Sequence, residues 1–367
     1  MAVVGLPRRC DSRGTMSLRE SGQSPPDVLC VGDVATDVYI ALRADHVTLL
    51  GEGPARRLVL PFGAKVPFER SETVEAGGDA ANVAVALSRL GLRVGLASYL
   101  GGDRLGRDIL VYLGTEHVDV SLVQLDPSRP TNEHFVLWLE GERTILVHHE
   151  DYHYHWPPAG MNHVPTWLYL TSISEHGEAY QDAIAEWLVA HPAVSLALEP
   201  GTFQIEQGAA RLAPLYRRAE LVVCNRDEAL RVTGLDAAAG AVELLDALLA
   251  LGPRRAVVTD ARAGATGADA RGHYRVPMFP DDGPVVDRTG AGDAFASTLV
   301  ASLVEGRPFT EALRRAPVNA MSVVRRLGSQ AGLLDARALE AHLDAAPPDY
   351  AVHALEGPPS PGGARVA

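Results

Sequence analysis

Residues 286–295 read Val286-Asp287-Arg288-Thr289-Gly290-Ala291-Gly292-Asp293-Ala294-Phe295, and an apolar run continues through Leu299, Val300 and Leu303. The small residues Gly290, Ala291 and Gly292 let a backbone turn come close to a ligand. If a helix starts there, its free N–H groups face that ligand. Such a turn cradles an oxyanion. Asp293 stands just inside it, where a carboxylate can take a proton from a hydroxyl. An anion cradle beside a base is the minimum apparatus for moving a phosphoryl group onto an alcohol. Taken alone, a glycine-rich turn with an aspartate capping a helix accounts for the same residues.

A second element, Gly77-Gly78-Asp79-Ala80-Ala81-Asn82-Val83-Ala84, comes early in the chain. Two glycines permit close approach of a substrate, and the Asn82 amide both donates and accepts hydrogen bonds. A tight turn followed by a helix cap is the plain alternative. The helical run it opens ends at Leu90-Gly91.

Together these elements resemble the two signatures of the ribokinase-like sugar kinases, the PfkB carbohydrate kinase family. One is the Gly-Gly…Asn…Leu-Gly helix and the other the Asp-x-Thr-Gly-Ala-Gly-Asp turn. They occur in the family's order, and the resemblance covers essentially residues 28–345. It implies a three-layer α/β/α sandwich with a mostly parallel central sheet and a small β-sheet lid. It also implies ATP-dependent phosphorylation of a sugar hydroxymethyl group, with Mg²⁺ as cofactor.

The resemblance assigns roles residue by residue. Asp293 matches the family's base, and Gly290, Ala291 and Gly292 its anion hole. Gly77, Gly78 and Asn82 match sugar-contacting positions. Asp37, placed at the end of the first strand, matches an aspartate that holds sugar hydroxyls, and Asp33 is a second candidate. Asn225 and Glu228 match an Asn-x-x-Glu motif of the Mg²⁺ and phosphate environment. Glu228 would meet the ion partly through water. A helix start with acids in its first turn is the alternative. Thr259 and Gly264 match the nucleotide-binding strand and loop, where Ala261 replaces the family's first glycine. Asn319 lies on the late helix that borders the adenine. Asp287 and Thr289 match positions whose carbonyl oxygens bind a monovalent cation, potassium, in some relatives. Arg288 stands where many members have threonine, and reaches a phosphate or faces solvent.

Positioning these residues takes alternating elements. Short apolar runs at 28–31, 94–100, 168–170, 194–198, 221–223 and 256–258 read as buried strands, and helical periodicity fills 79–90, 181–190 and 241–251. That alternation predicts βαβ units and a mostly parallel sheet covered on both faces. Two stretches break the rhythm. Residues 38–76 hold short alternating pieces. Residues 131–155 open with a hairpin, 134–139 and 143–148 around Glu140-Gly141-Glu142. Both are expected to form the lid, whose half-exposed edges suit a homodimer. Glu133 and His134 are placed there to touch a sugar. Residues 1–27, polar and without periodicity, read as an N-terminal tail. Residues 346–367, rich in proline, read as a C-terminal tail. The kinase domain is therefore expected over 28–345.

Thirty-three Lys and Arg against 46 Asp and Glu give a net charge of −13, which argues against a nucleic-acid partner bound through an overall positive surface. No apolar run approaches the ~18–20 residues that span a bilayer. Arg8 and Arg9 have no apolar stretch behind them, so no secretory signal is read. Three scattered cysteines, Cys10, Cys30 and Cys224, fit a reducing cytoplasm. Four histidines lie within 148–155 without an accompanying cysteine, which points to substrate contact or surface rather than a structural metal.

The acceptor is the open question. A pentose, hexose or keto-deoxy sugar acid comes first and a nucleoside second, since nucleoside kinases share both motifs. A sugar phosphate comes third; it needs a basic cluster, for which Arg56, Arg57, Lys65 and Arg143 are available. A non-catalytic sugar sensor is disfavoured by the intact Gly-Ala-Gly-Asp turn. A dinucleotide-dependent dehydrogenase is disfavoured because no Gly-x-Gly-x-x-Gly follows the first strand, and no Walker P-loop occurs either.

Overall fold

The computed structural model describes residues 26–52, 55–281 and 283–355. Among them a nine-stranded sheet forms the middle layer. The predicted apolar runs supply its parallel part: Val94–Ala97, Val28–Val31, Trp167–Leu170, Ser195–Leu198, Ala219–Asn225 and Ala256–Thr259 lie side by side in that order. All pairs within this set are parallel. These strands are buried on both faces, which is why they read as continuous apolar runs and not as alternation. Three antiparallel strands, Ala265–Asp269, Gly272–Val276 and His353–Leu355, extend the sheet at one edge.

Two apolar cores lie on opposite faces. One packs the helices Asp79–Arg89, Ala291–Val304 and Phe309–Val323. The other packs Glu178–Ala190 and Ala241–Ala250. The predicted three-layer α/β/α sandwich is what forms. The helices Asp79–Arg89 and Ala291–Val304 contact each other. Alanines at 80, 84, 294 and 296 on them are buried, and their size lets the backbones approach.

A separate four-stranded sheet makes the lid. Its order is Glu142–Leu146, Glu133–Leu139, Ala35–Leu42, Phe68–Gly77. The expected hairpin is present, with Glu142 opposite Leu139. The ten-residue strand Phe68–Gly77 was not legible as one strand, because most of its side chains are exposed and polar and give no alternation. A short antiparallel ribbon, Thr48–Leu50 with Arg57–Val59, completes the region.

The segment read as a C-terminal tail is ordered into the fold up to residue 355. His353–Leu355 pairs with the sheet edge. Tyr350 is buried, its ring 4.9 Å from that of Phe279, and its hydroxyl donates to the Arg314 carbonyl at 2.7 Å. One buried aromatic and a strand edge outweigh the proline-rich composition. At the other end Asp27 accepts from Arg93. Residues 1–25 and 356–367 of the two proposed tails lie outside the described residues. Among the described residues no helix is long and apolar enough to cross a membrane.

Candidate active site

The carboxyl ends of the parallel strands converge on one edge, where open α/β sheets place their ligands. Asp33 follows Val28–Val31, Ser172 follows Trp167–Leu170, Glu199 follows Ser195–Leu198, and Thr259 ends Ala256–Thr259. The glycine turn comes to the same edge. Gly290 caps the helix Ala291–Val304 with φ 76°, a left-handed conformation. A Cβ there would stand 2.5 Å from the Ser329 side chain, so only glycine fits. Ala291 N–H donates to the Arg288 carbonyl at 3.3 Å and Ala294 N–H to that of Gly290 at 2.9 Å, which leaves the N–H groups of Gly292 and Asp293 as the ones available to an anion.

The turn is a wall between two cavities. A cavity of about 340 Å³ is lined by Thr289, Gly290 and Asp293 on one side and by Asp33, Asp37 and Asn82 on the other. A second, of about 280 Å³ and mostly apolar, is lined by Ala291 and Gly292 together with Thr259, Gly264, Phe295 and Met321. The first has an acid at its base and the lid at its mouth. The second has mostly apolar walls.

Asp293 is oriented by the first motif. Asn82 Nδ2 donates to Asp293 Oδ2 at 2.7 Å. The Asn82 carbonyl oxygen accepts from Ser329 Oγ at 2.7 Å and from Gln330 Nε2 at 2.8 Å. With its oxygen so engaged, the amide turns its N–H toward the carboxylate. Asn82 is thus a positioning residue for Asp293 as well as part of the cavity wall. Burial holds the Asp293 carboxyl well above the usual carboxylate range, and the negative charges of Asp79 and Glu199 push it the same way. The Asn82 hydrogen bond works against both.

Those two acids were not singled out by sequence. Asp79 accepts from the Ser172 hydroxyl, and burial raises its carboxyl. Glu199 accepts from the Tyr169 hydroxyl, and burial, followed by the charge of Asp79, pushes it up to about 8. The position of Glu199 just past a strand's carboxyl end was the available signal. Asp79 follows Gly77-Gly78 directly, and at a turn leading into a helix an acid carries no separate signal.

Several predicted residues do other work. Gly77 makes room for the Asp37 carboxylate, which a Cβ would strike. Gly78, with φ 87°, does line the cavity. Asp37 sits on the lid strand Ala35–Leu42, not at the end of the first strand, and lies 3.2 Å from His134 Nδ1 on the neighbouring strand. Asp33 is held by the Tyr154 hydroxyl at 2.7 Å and the Ser174 N–H at 2.6 Å. Burial still raises its carboxyl to about 6.

Asn225 and Glu228 form a reciprocal capping box: each side chain accepts from the other's backbone N–H at 2.9 Å. The plain helix-start account is therefore realised, and Asn225 lines neither cavity. Asn319 is corrected. It is fully buried, donates to Thr298 Oγ1 at 3.0 Å and accepts from Leu334 N–H at 2.9 Å, so it ties helices together and lines neither cavity. Pro317, Ala320 and Met321 of its helix take the cavity wall instead. The Asp287 carboxylate accepts from Thr289 N–H and hydroxyl and from Gly328 N–H, which fixes the turn from beneath. Arg288 lines the second cavity and lies 3.5 Å from Glu142 of the lid. Ala261, where the resemblance expects glycine, has φ 38°. The backbone keeps the left-handed twist although the residue has changed.

The histidine run divides. His149 lines the first cavity, whereas His153 and His155 are exposed. Between the last two, Tyr154 turns inward and its hydroxyl donates to Asp33. Among the described residues no group of three or more acids, histidines or cysteines is placed to hold a metal directly.

Two cavities that meet at one helix start, with a buried carboxylate on one side, fit a phosphotransferase acting on an alcohol. Comparisons agree with that class. The model of the pfkB family of carbohydrate kinases matches residues 56–336, and the chain belongs to that family. It is 29% identical to the bifunctional protein HldE of Caulobacter sp. (strain K31) over 334 residues, 88% of this chain and 64% of that protein. The chain thus spans under two thirds of the length of that relative. A fructokinase of Klebsiella pneumoniae is 29% identical over 276 residues, 70% of this chain and 81% of its own. Among solved structures, Arabidopsis thaliana ribokinase complexed with ribose and ATP superposes with a TM-score of 0.68 at 21% identity, covering 87% of this chain and 99% of that one. A ribokinase from Cryptococcus neoformans in complex with ADP matches at 0.68 and 20%, with 87% and 99% covered.

Proposed function

We propose that this carbohydrate kinase transfers the γ-phosphoryl group of ATP to a hydroxymethyl oxygen of a sugar bound in the cavity beneath the lid. ATP would occupy the apolar cavity, with its terminal phosphate against Gly290, Ala291 and Gly292. Asp293 takes the proton of the acceptor hydroxyl as its oxygen bonds to the γ-phosphorus. The bond from that phosphorus to the β,γ-bridging oxygen breaks, and ADP leaves. The observation that carries this reading is the shared turn: the anion cradle opens to one cavity while the Asn82-oriented carboxylate opens to the other.

The acid cluster fits Mg²⁺. Asp79, Glu199, Glu228 and Asp293 are all raised, first by burial; the charge of Asp79 then raises the other three, and that of Asp37 raises Asp79. A divalent cation would relieve that repulsion. Since no three of them are set as direct ligands, Glu228 and its neighbours would hold it largely through water, as Mg²⁺ prefers. When bound, the ion neutralises charge on the phosphates. Carbonyls of Asp287 and Thr289 would hold potassium, which a comparison of rates in K⁺ and Na⁺ checks. Exposed Phe62, Phe68 and Leu146 on and around the lid support a homodimer formed there; a monomeric mass in solution would count against it.

The test is acceptor-dependent ADP release over sugars, sugar phosphates and nucleosides, with ³¹P NMR of the product. A new phosphate ester on a sugar is expected. Preferential turnover of a nucleoside would transfer the same chemistry to a nucleoside kinase. Saturable binding of ATP and sugar with no turnover would make the chain a sensor.

A further inference from the structure

Among the described residues, Arg143 of the acceptor cavity makes no ion pair. Arg143, Ile145, Val147 and His149 take alternate positions along the lid strand Glu142–Leu146 and just beyond it, and all four line the cavity. Alternate residues of an extended segment share one face, so this face looks inward. Other arginines on and around the lid, Arg57 apart, are neutralised locally: Arg56 lies 3.8 Å from Glu140, Arg70 3.1 Å from Glu72, and Arg288 3.5 Å from Glu142. Arg143 makes no ion pair among the described residues, and its Nε is buried with no hydrogen-bond partner.

Two more polar nitrogens in the same cavity are also unpartnered. His134 Nε2 and His149 Nδ1 are buried without a hydrogen bond, and their rings lie 5.2 Å apart. Three of the cavity's carboxylates are engaged elsewhere, Asp33 with Tyr154, Asp79 with Ser172 and Asp293 with Asn82, while Asp37 lies 3.2 Å from His134 Nδ1 with its Oδ1 buried and without a hydrogen bond. In a chain of net charge −13, acids are plentiful, yet among the described residues none makes an ion pair with Arg143. A buried guanidinium N–H left unpaired is costly unless a ligand completes it.

Resting on the kinase reading above, we propose that the acceptor is an anionic sugar, a sugar phosphate or a sugar acid, whose phosphate or carboxylate is held at the lid end by Arg143 with His134 and His149. The planar fork of Arg143 suits two oxygens of either group. The hydroxyl at the sugar's other end then falls to Asp293. Ile145 and Val147, 39% and 51% exposed, are covered by the carbon chain between them. Burial, with the nearby charges of His134 and His148, pulls His149 down to about 4 in the free protein. An anion beside it reverses that direction.

The experiment uses the full chain with ATP and Mg²⁺ and matched acceptor pairs: fructose with fructose 6-phosphate, ribose with ribose 5-phosphate, and glucose with gluconate and 2-keto-3-deoxygluconate. The expected result is a kcat/KM at least about 100-fold higher for an anionic member than for its neutral partner. The phosphate and carboxylate arms show which anion is used. Arg143→Gln should reduce that ratio to under tenfold, mainly through KM, and Arg143→Lys should restore part of it. In wild type the His149 ring resonances should titrate at higher pH with the preferred anionic sugar bound, a shift that Arg143→Gln removes. Equal or better use of neutral sugars overturns the inference and leaves the kinase reading standing. So does an unchanged ratio in Arg143→Gln. ADP release with none of the acceptors overturns both.

Discussion

Asn82 and Asp293, 211 residues apart in the chain, meet through a 2.7 Å hydrogen bond inside the protein. The bond joins the two sequence signatures into one device. The early helix supplies an amide, and the late helix supplies the carboxylate it aims. Ser329 and Gln330 lock the amide's orientation from behind. Replacing Asn82 with alanine should therefore lower kcat by about 10- to 100-fold with a smaller change in KM for ATP, since the amide touches the base and not the nucleotide cavity. It should also move the acidic limb of the rate profile to higher pH, because the bond it removes favours the charged carboxylate. A KM effect alone, with the pH limb unmoved, would assign Asn82 to sugar contact only.

The acid cluster sets the pH response. Asp293 must be ionised to act as a base, and the charges of Asp79 and Glu199 oppose its ionisation. Glu199→Gln should therefore shift the acidic limb of kcat/KM to lower pH, in a direction opposite to Asn82→Ala. Measured rate profiles of the two variants check the pair of signs.

The same cluster bears on stability. Glu199 has a folded pKa of about 8, above the ordinary glutamate value near 4.3. A raised carboxyl binds its proton more tightly in the folded state. The stabilisation is full below the unfolded pKa and is lost as pH rises through the folded one. In the absence of Mg²⁺, Tm should fall between about pH 4 and pH 8, more steeply than for Glu199→Gln. Added Mg²⁺ should raise Tm most at the alkaline end. A pH-independent Mg²⁺ effect would detach the ion from these acids.

At the glycine turn, Gly290→Ala should destabilise the protein by about 2 kcal/mol or more, from the left-handed backbone and the contact with Ser329 together. ATP turnover should drop even in the molecules that remain folded. Thermal denaturation alongside kinetics separates the two losses. Ala261→Gly goes the other way. Its φ of 38° favours glycine, so the change should be neutral to stabilising by up to about 1 kcal/mol, as measured by denaturant midpoint.

The sandwich was legible because each parallel strand is buried on both faces and reads as an apolar run, while the helices keep 3.6-residue apolar spacing even where, as in Asp79–Arg89, the residues from 80 to 87 are all buried. Gly290, Ala291, Gly292 and Asp293 were legible because their turn is contiguous. Residues brought in from separate strand ends, Glu199 and Ser172, carry no local pattern. Asn319 and Asn225 illustrate the converse: a polar side chain in a motif position was spent on joining helices in one case and on capping in the other. Gly77 was read as facing substrate but faces Asp37. The polar strand Phe68–Gly77 and the buried Tyr350 depend on tertiary partners that no local window contains.

The claim on which the rest depends is that Asp293 is the base that activates the acceptor. The direct measurement is kcat for Asp293→Asn with its best acceptor, together with calorimetric binding of ATP and sugar. The expected result is a fall in kcat of about 10²- to 10⁴-fold while both ligands still bind within a few-fold of wild type. Turnover of the variant within a few-fold of wild type would contradict it.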